Sequence, residues 1–136
     1  MLRLPVTLTL LAALGQPVDE PKPVDFATLA GFDYSEGMKL PKEVTDLDEV
    51  VVEVRGFMKR EVPGSGPVNQ FMLINDACGC NGTPMLHEII FCTLPDGVTM
   101  DIQNGVVTVT GKLYVGEVEE DGYVVMLYQM DADTVK

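Results

Sequence analysis

Asp76, Cys78, Cys80, His87, Glu88 and Cys92 all fall within residues 76–92, and that short stretch holds the only histidine and all three cysteines of a 136-residue chain. Thiolates and imidazole are the donors preferred by zinc and by soft ions such as Cu(I). Cys78, Cys80, His87 and Cys92 therefore form a candidate metal set. The single residue between Cys78 and Cys80 is tighter than the roughly two to four found in structural zinc sites. The same thiols suit a disulfide in an oxidising compartment, with Cys92 reaching back to Cys78 or Cys80 and one thiol left over. This staple is the favoured reading, with no cofactor. A direct Cys78–Cys80 bridge would be strained and readily reduced, as redox disulfides are, but the chain lacks a Cys-x-x-Cys at a helix start.

His87 beside Glu88 has the composition of a base and its orienter. Neighbours on a strand point to opposite faces, however, so a surface or loop-packing histidine is expected. No nucleophile elbow, Gly-rich phosphate loop or carboxylate pair accompanies them. The residues make no positive case for an enzyme. Asn81-Gly82-Thr83 reads as a turn, and the acidic run Glu117–Asp121 as a solvated hairpin tip.

The elements that must position this loop are strands. Beyond Asp48 the chain runs in β-branched stretches punctuated by Gly and Pro, predicting strands over residues 50–58, 68–74, 88–94, 98–103, 106–118 and 123–130. The strand over 98–103 is short, and the other five are the principal ones. Asn104-Gly105 and Asp121-Gly122 are hairpin signals. Apolar residues on both faces of 88–94 predict a central strand. Gly56 and Gly111 lie inside long strands, where glycine marks a bulge or bend, and bent strands close small barrels. The expected fold is all-β, a small partly open Greek-key barrel of the OB type with five principal strands and an extended N-terminal segment. Such barrels present one face to ligands, and Phe57, Met58, Phe71 and Met72 are placed near it.

The N-terminus reads as a signal peptide over residues 1–15: Arg3, an apolar run from Leu4 to Leu14, then a small-residue exit at Gly15. That run is too short to span a bilayer, and no membrane span is expected after cleavage. A linker and domain-packing segment over 16–47 then leads to the barrel over 48–136. Pro41 forbids a helix through its position and favours an extended approach to the first strand. A formal net charge of −12, without any basic cluster, disfavours nucleic acid and anionic membranes as partners. A hydrophobic fraction of 46% supplies a core, so the acidity does not signal disorder.

Leu40-Pro41, Leu47-Asp48, Val52, Val54, Gly56-Phe57-Met58, Phe71-Met72-Leu73, Cys78-Gly79-Cys80, Pro84 and Glu88-Ile89-Ile90 stand in an order that resembles the domain-of-unknown-function 3299 (DUF3299) family of small exported bacterial proteins. The resemblance implies export and a barrel-like domain, and it supplies no catalytic residue. The expected protein is a periplasmic or secreted binding module that recognises a protein or small ligand through the Asp76 to His87 loop and the adjacent barrel face. Metal handling through Cys78, Cys80 and His87 is the alternative, and thiol–disulfide exchange at Cys78 and Cys80 is a third reading.

Overall fold

The structure, a computed structural model, describes residues 20–75 and 83–136. The signal-peptide residues 1–15, and Asp76, Cys78 and Cys80, lie outside the described residues. Six strands form one mixed sheet: β1 (Lys22–Val24), β2 (Val50–Lys59), β3 (Gln70–Ile74), β4 (Ile89–Thr93), β5 (Val106–Glu120) and β6 (Tyr123–Val135). Two short helices, α1 (Phe26–Ala30) and α2 (Lys42–Thr45), and a 3₁₀ turn over Leu86–Glu88 complete the described elements.

The strand order is β1-β2-β3-β4-β6-β5, and β2 also pairs with β5. Five strands are thereby joined in a ring, antiparallel at β2–β3, β3–β4, β5–β6 and β2–β5 and parallel at β4–β6. The ring is uneven. The β2–β5 ladder runs from Val50↔Leu113 to Phe57↔Val106, whereas β2–β3 extends only from Phe57↔Ile74 to Lys59↔Met72. The result is a partly closed ring of strands rather than a regular cylinder, consistent with the all-β expectation.

Alternation along β2 explains which residues build the core. Val52, Val54, Gly56 and Met58 are buried, while Glu53, Arg55 and Lys59 are exposed. Their partners Val107, Val109 and Leu113 on β5 share the inner face, as do Phe71, Leu73, Ile90, Cys92, Tyr128 and Met130. Period two is the signature of strands with one face on the core.

Two glycines admit close backbone approach. The register shifts between Thr110 and Gly111, and a Cβ on Gly111 would sit 2.8 Å from Ala132 Cα and closer still to Asp131 O. A Cβ on Gly56 would lie 2.7 Å from Ile74 O, beside the point where one edge of β2 passes from β1 to β3. Gly111 thus stands at the kind of irregularity read from the sequence, while at Gly56 the ladder to β5 continues without a shift and the glycine serves close approach.

The segment over 20–47 does more than approach the barrel. β1 adds in parallel to β2, pairing Lys22–Val24 with Val52–Val54. Asp25 then caps α1, its Oδ1 accepting the Thr28 N–H at 2.9 Å, and Phe26 and Leu29 enter the core. Leu29 is held by β6, where the fully buried Tyr128 hydroxyl donates to Leu29 O at 2.6 Å. A C-terminal helical carbonyl that the helix leaves without a donor is thereby satisfied. Pro41 does not lead straight into a strand. Its carbonyl accepts the Val44 and Thr45 N–H groups, so α2 begins immediately after it and places Val44 in the core. Asp48 next accepts the Val115 N–H at 2.8 Å, which ties the start of β2 to β5.

Two expected elements differ. Residues 98–103 form no strand, and Val68↔Met100 is an isolated bridge. Asn69 holds this stretch instead, its amide donating to Leu94 O, Pro95 O and Val98 O, and Val98 is 44% exposed. Gly105 takes the left-handed conformation expected of Asn-Gly, at φ +97, but β5 pairs with β2 and β6 and makes no hairpin with the preceding segment. The last strand runs on to Val135, because Ala132 is buried between exposed Asp131 and Asp133 and so keeps the alternation.

Candidate functional site

His87 was expected at the surface or packed on a loop. It is 4% exposed and sits in the 3₁₀ turn rather than on a strand. Its ring packs against Phe32 and Tyr34, with centroids 5.3 Å and 5.7 Å away. Two buried polar atoms in this cluster, His87 Nδ1 and Tyr34 Oη, have no hydrogen-bond partner among the described residues. Burial first, and then the Glu117 carboxylate, pushes the Tyr34 phenol up to about 12. Glu117 Oε1 itself accepts the Gly37 N–H at 2.8 Å. Glu88 does not orient the imidazole, since its Oε2 accepts the Met85 N–H at 3.2 Å and closes its own turn.

Cys92 stands apart from the thiol readings. It lies on the inner face of β4 opposite Phe71 and Met130, is 0% exposed, and is a free thiol. Its Sγ donates weakly to Ile90 O at 3.7 Å. Desolvation, with a smaller contribution from Glu61, holds its pKa well above the ordinary thiol range. Metal ligation and thiol exchange both use the thiolate, the form that this environment disfavours at Cys92 in the folded protein. Among the described residues, no three His, Cys, Asp or Glu side chains gather as a metal site. Asp76, Cys78 and Cys80, the remaining members of the sequence-derived set, lie outside the described residues.

Phe57 and Met58 part company. Met58 points inward, pairs with Leu73 and is 5% exposed, so it is core and not a binding residue. Phe71 is likewise fully buried. Phe57 points outward, opposite Ile74 on one side and Val106 on the other, and Met72 shares that outer face through Lys59. One residue of strand separates the two faces, which is why adjacent apolar residues cannot both line a ligand face.

Phe57 borders a cleft of ≈ 460 Å³ between the β1–α1 junction and the outer face of β2. Its walls carry Asp25, Glu53, Arg55 and Asn75 beside Phe26 and Phe57, with Gly56 and Val106 closing it. A cleft of this volume, mixing aromatic surface with a few polar groups, has the dimensions of small-molecule sites. Asn75 is the last described residue before the cysteine-bearing segment 76–82. Among the described residues Arg55 makes no ion pair, and the one salt bridge joins Lys42 to Asp46.

Sequence reasoning alone missed Arg55 and Asn75. Arg55 could have been found as the basic residue that stands between Glu53 and Phe57 on the outer face of β2, a face that also carries Lys59. Asn75 carries no such signal, because its place depends on where β1 docks.

No protein-family model and no curated protein matches the sequence. Among solved structures, a DUF3299 family protein from Pseudomonas aeruginosa PAO1 superposes with a TM-score of 0.58 at 18% sequence identity, covering 85% of this chain and 95% of that one. An identity this low speaks for the fold and not for an activity. The chain thus resembles a DUF3299 protein in its three-dimensional fold as well as in the succession of its motifs.

Proposed function

We propose that the protein is an exported binding module of the OB-like type, which takes a small ligand in the cleft between β1, α1 and the outer face of β2. The observation that carries this reading is the ≈ 460 Å³ cleft itself, where Arg55 and Asn75 stand beside the aromatic wall of Phe57. OB-like barrels commonly recognise ligands on a strand face and its bordering loops, and a cleft on the outer face of β2 supports that reading. Export is supported by the composition of residues 1–15, and the periplasm or the exterior is the proposed location.

A fragment library screened by ¹⁵N-¹H correlation spectra tests the reading. Binders are expected to perturb Arg55, Phe57, Asn75 and Val106 together, and Phe57→Ala to weaken them. Perturbations that consistently avoid the cleft would refute it.

A further inference from the structure

The charges in the cleft narrow the kind of ligand. Pro23 pairs with Glu53 and Thr108 with Arg55, so Glu53 and Arg55 both project from the outer face of β2 into the same space. As i and i+2 residues of one strand, they are about 7 Å apart at the backbone. Asp25 adds a second carboxylate, although its Oδ1 is already engaged by the Thr28 N–H and the Thr28 hydroxyl.

Each simple ion fits this wall poorly. An anion would satisfy Arg55 and face two carboxylates, while a cation would leave the guanidinium without a counter-charge. A ligand carrying both signs a short distance apart meets every group. Guanidinium presents a planar fork to a carboxylate, and charge-assisted hydrogen bonds of about 2.8 Å on either side let one small zwitterion bridge Arg55 and Glu53. The remaining walls are apolar: the Phe57 ring, the Phe26 edge and Val106, which is 51% exposed.

We infer that the cleft binds a free α-amino acid with an apolar or aromatic side chain, its carboxylate on Arg55, its ammonium on Glu53 and its side chain against Phe57. This rests on the reading of the cleft as the binding site. A peptide does not meet the same requirement, because its ammonium and carboxylate lie at opposite ends of the chain.

Three probes separate the possibilities: phenylalanine, N-acetyl-phenylalanine, which has lost the ammonium, and phenylalanine amide, which has lost the carboxylate. Each is titrated into the ¹⁵N-labelled full chain, following the backbone amides and the Arg55 Nε–H. Phenylalanine is expected to perturb Arg55 and Phe57 and to bind at least tenfold more tightly than either blocked analogue. Glu53→Gln and Arg55→Gln, both exposed strand positions, are each expected to weaken phenylalanine at least tenfold while keeping a folded spectrum. Binding of a blocked analogue within threefold of phenylalanine would overturn the zwitterion inference and leave the cleft as a binding site. The zwitterion inference also falls, and the cleft again stands, if library fragments occupy it and none of the three probes does. If neither the fragments nor the probes perturb it, both readings fall.

Discussion

Removing one oxygen atom from Tyr128 is expected to loosen the attachment of α1 to the sheet. The Tyr128 hydroxyl is fully buried and donates at 2.6 Å to the carbonyl of Leu29, itself 0% exposed, near the end of a five-residue helix. Tyr128→Phe keeps the ring and its packing but leaves that carbonyl buried without its donor. An unsatisfied buried acceptor costs about 1–3 kcal/mol. Taking about 2 kcal/mol, and a urea dependence of about 1.5 kcal/mol per molar for a chain of this size, the unfolding midpoint falls by about 1.3 M. On the thermal scale the same loss is about 8 °C. Urea titration followed by far-UV circular dichroism reads the change directly. Tyr114→Phe serves as the comparison, since its hydroxyl bonds Asp131 at 3.1 Å in an exposed position and its loss is expected to cost under about 0.5 kcal/mol. If Tyr128→Phe is as mild as Tyr114→Phe, the argument that this single bond anchors α1 is refuted.

Gly111→Ala is expected to cost about 3 kcal/mol or to prevent folding, because the added methyl would run into the Asp131 carbonyl and the Ala132 backbone, neither of which can swing aside; thermal unfolding checks it, and a loss under about 1 kcal/mol would contradict the close approach. Cys92 is expected to resist iodoacetamide in the native protein and to react once urea exposes it, as mass spectrometry of the tryptic peptide would show; rapid native labelling would be incompatible with a buried, protonated thiol. Stability is expected to decline at alkaline pH. Tyr34 and Tyr128 have folded pKa values raised above the ordinary phenol value of about 10, so the folded state keeps protons that the unfolded chain releases. Their contribution is complete below about pH 10 and is lost as pH rises from there through about 12 for Tyr34 and higher for Tyr128. Urea midpoints between neutral and alkaline pH check this, with Tyr34→Phe and Tyr128→Phe flattening the profile; a profile unchanged in both variants would rule it out.

Much of the strand framework was legible because a strand half-buried on a core writes period two into its residues. Val50–Met58 and Val106–Val118 carry that pattern, the strand expected over 68–74 shows instead as an apolar run at Phe71–Ile74, and the structure places β2, β5 and β3 there. The pattern also extends to Val135, but Asp131 and Asp133 made the end of β6 look like a tail. Val98–Gln103 shows the opposite failure. Its composition is strand-like, yet the Val98 carbonyl is taken by the Asn69 side chain, Met100 makes a lone bridge to Val68, and no ladder forms. The helices α1 and α2 were missed because five and four residues are too few for a period of 3.6 to register.

The candidate site was less legible. Residue types singled out the cysteine and histidine stretch and the aromatic and methionine pairs of the adjoining strands. They could not separate outward Phe57 from inward Met58 without the register.

By itself the sequence determined the class of the fold, the succession of its main strands along the chain, the irregularity at Gly111 and its acidic character, because these follow from local alternation, backbone conformational limits and composition. Only the tertiary structure decided what each side chain is for. Tyr128 meets Leu29 across 99 residues, β1 meets β2 to make the cleft, and His87 is buried against Phe32 and Tyr34. Contacts of that separation arise from how the strands close on one another, and no local pattern encodes which residues the closure will bring together.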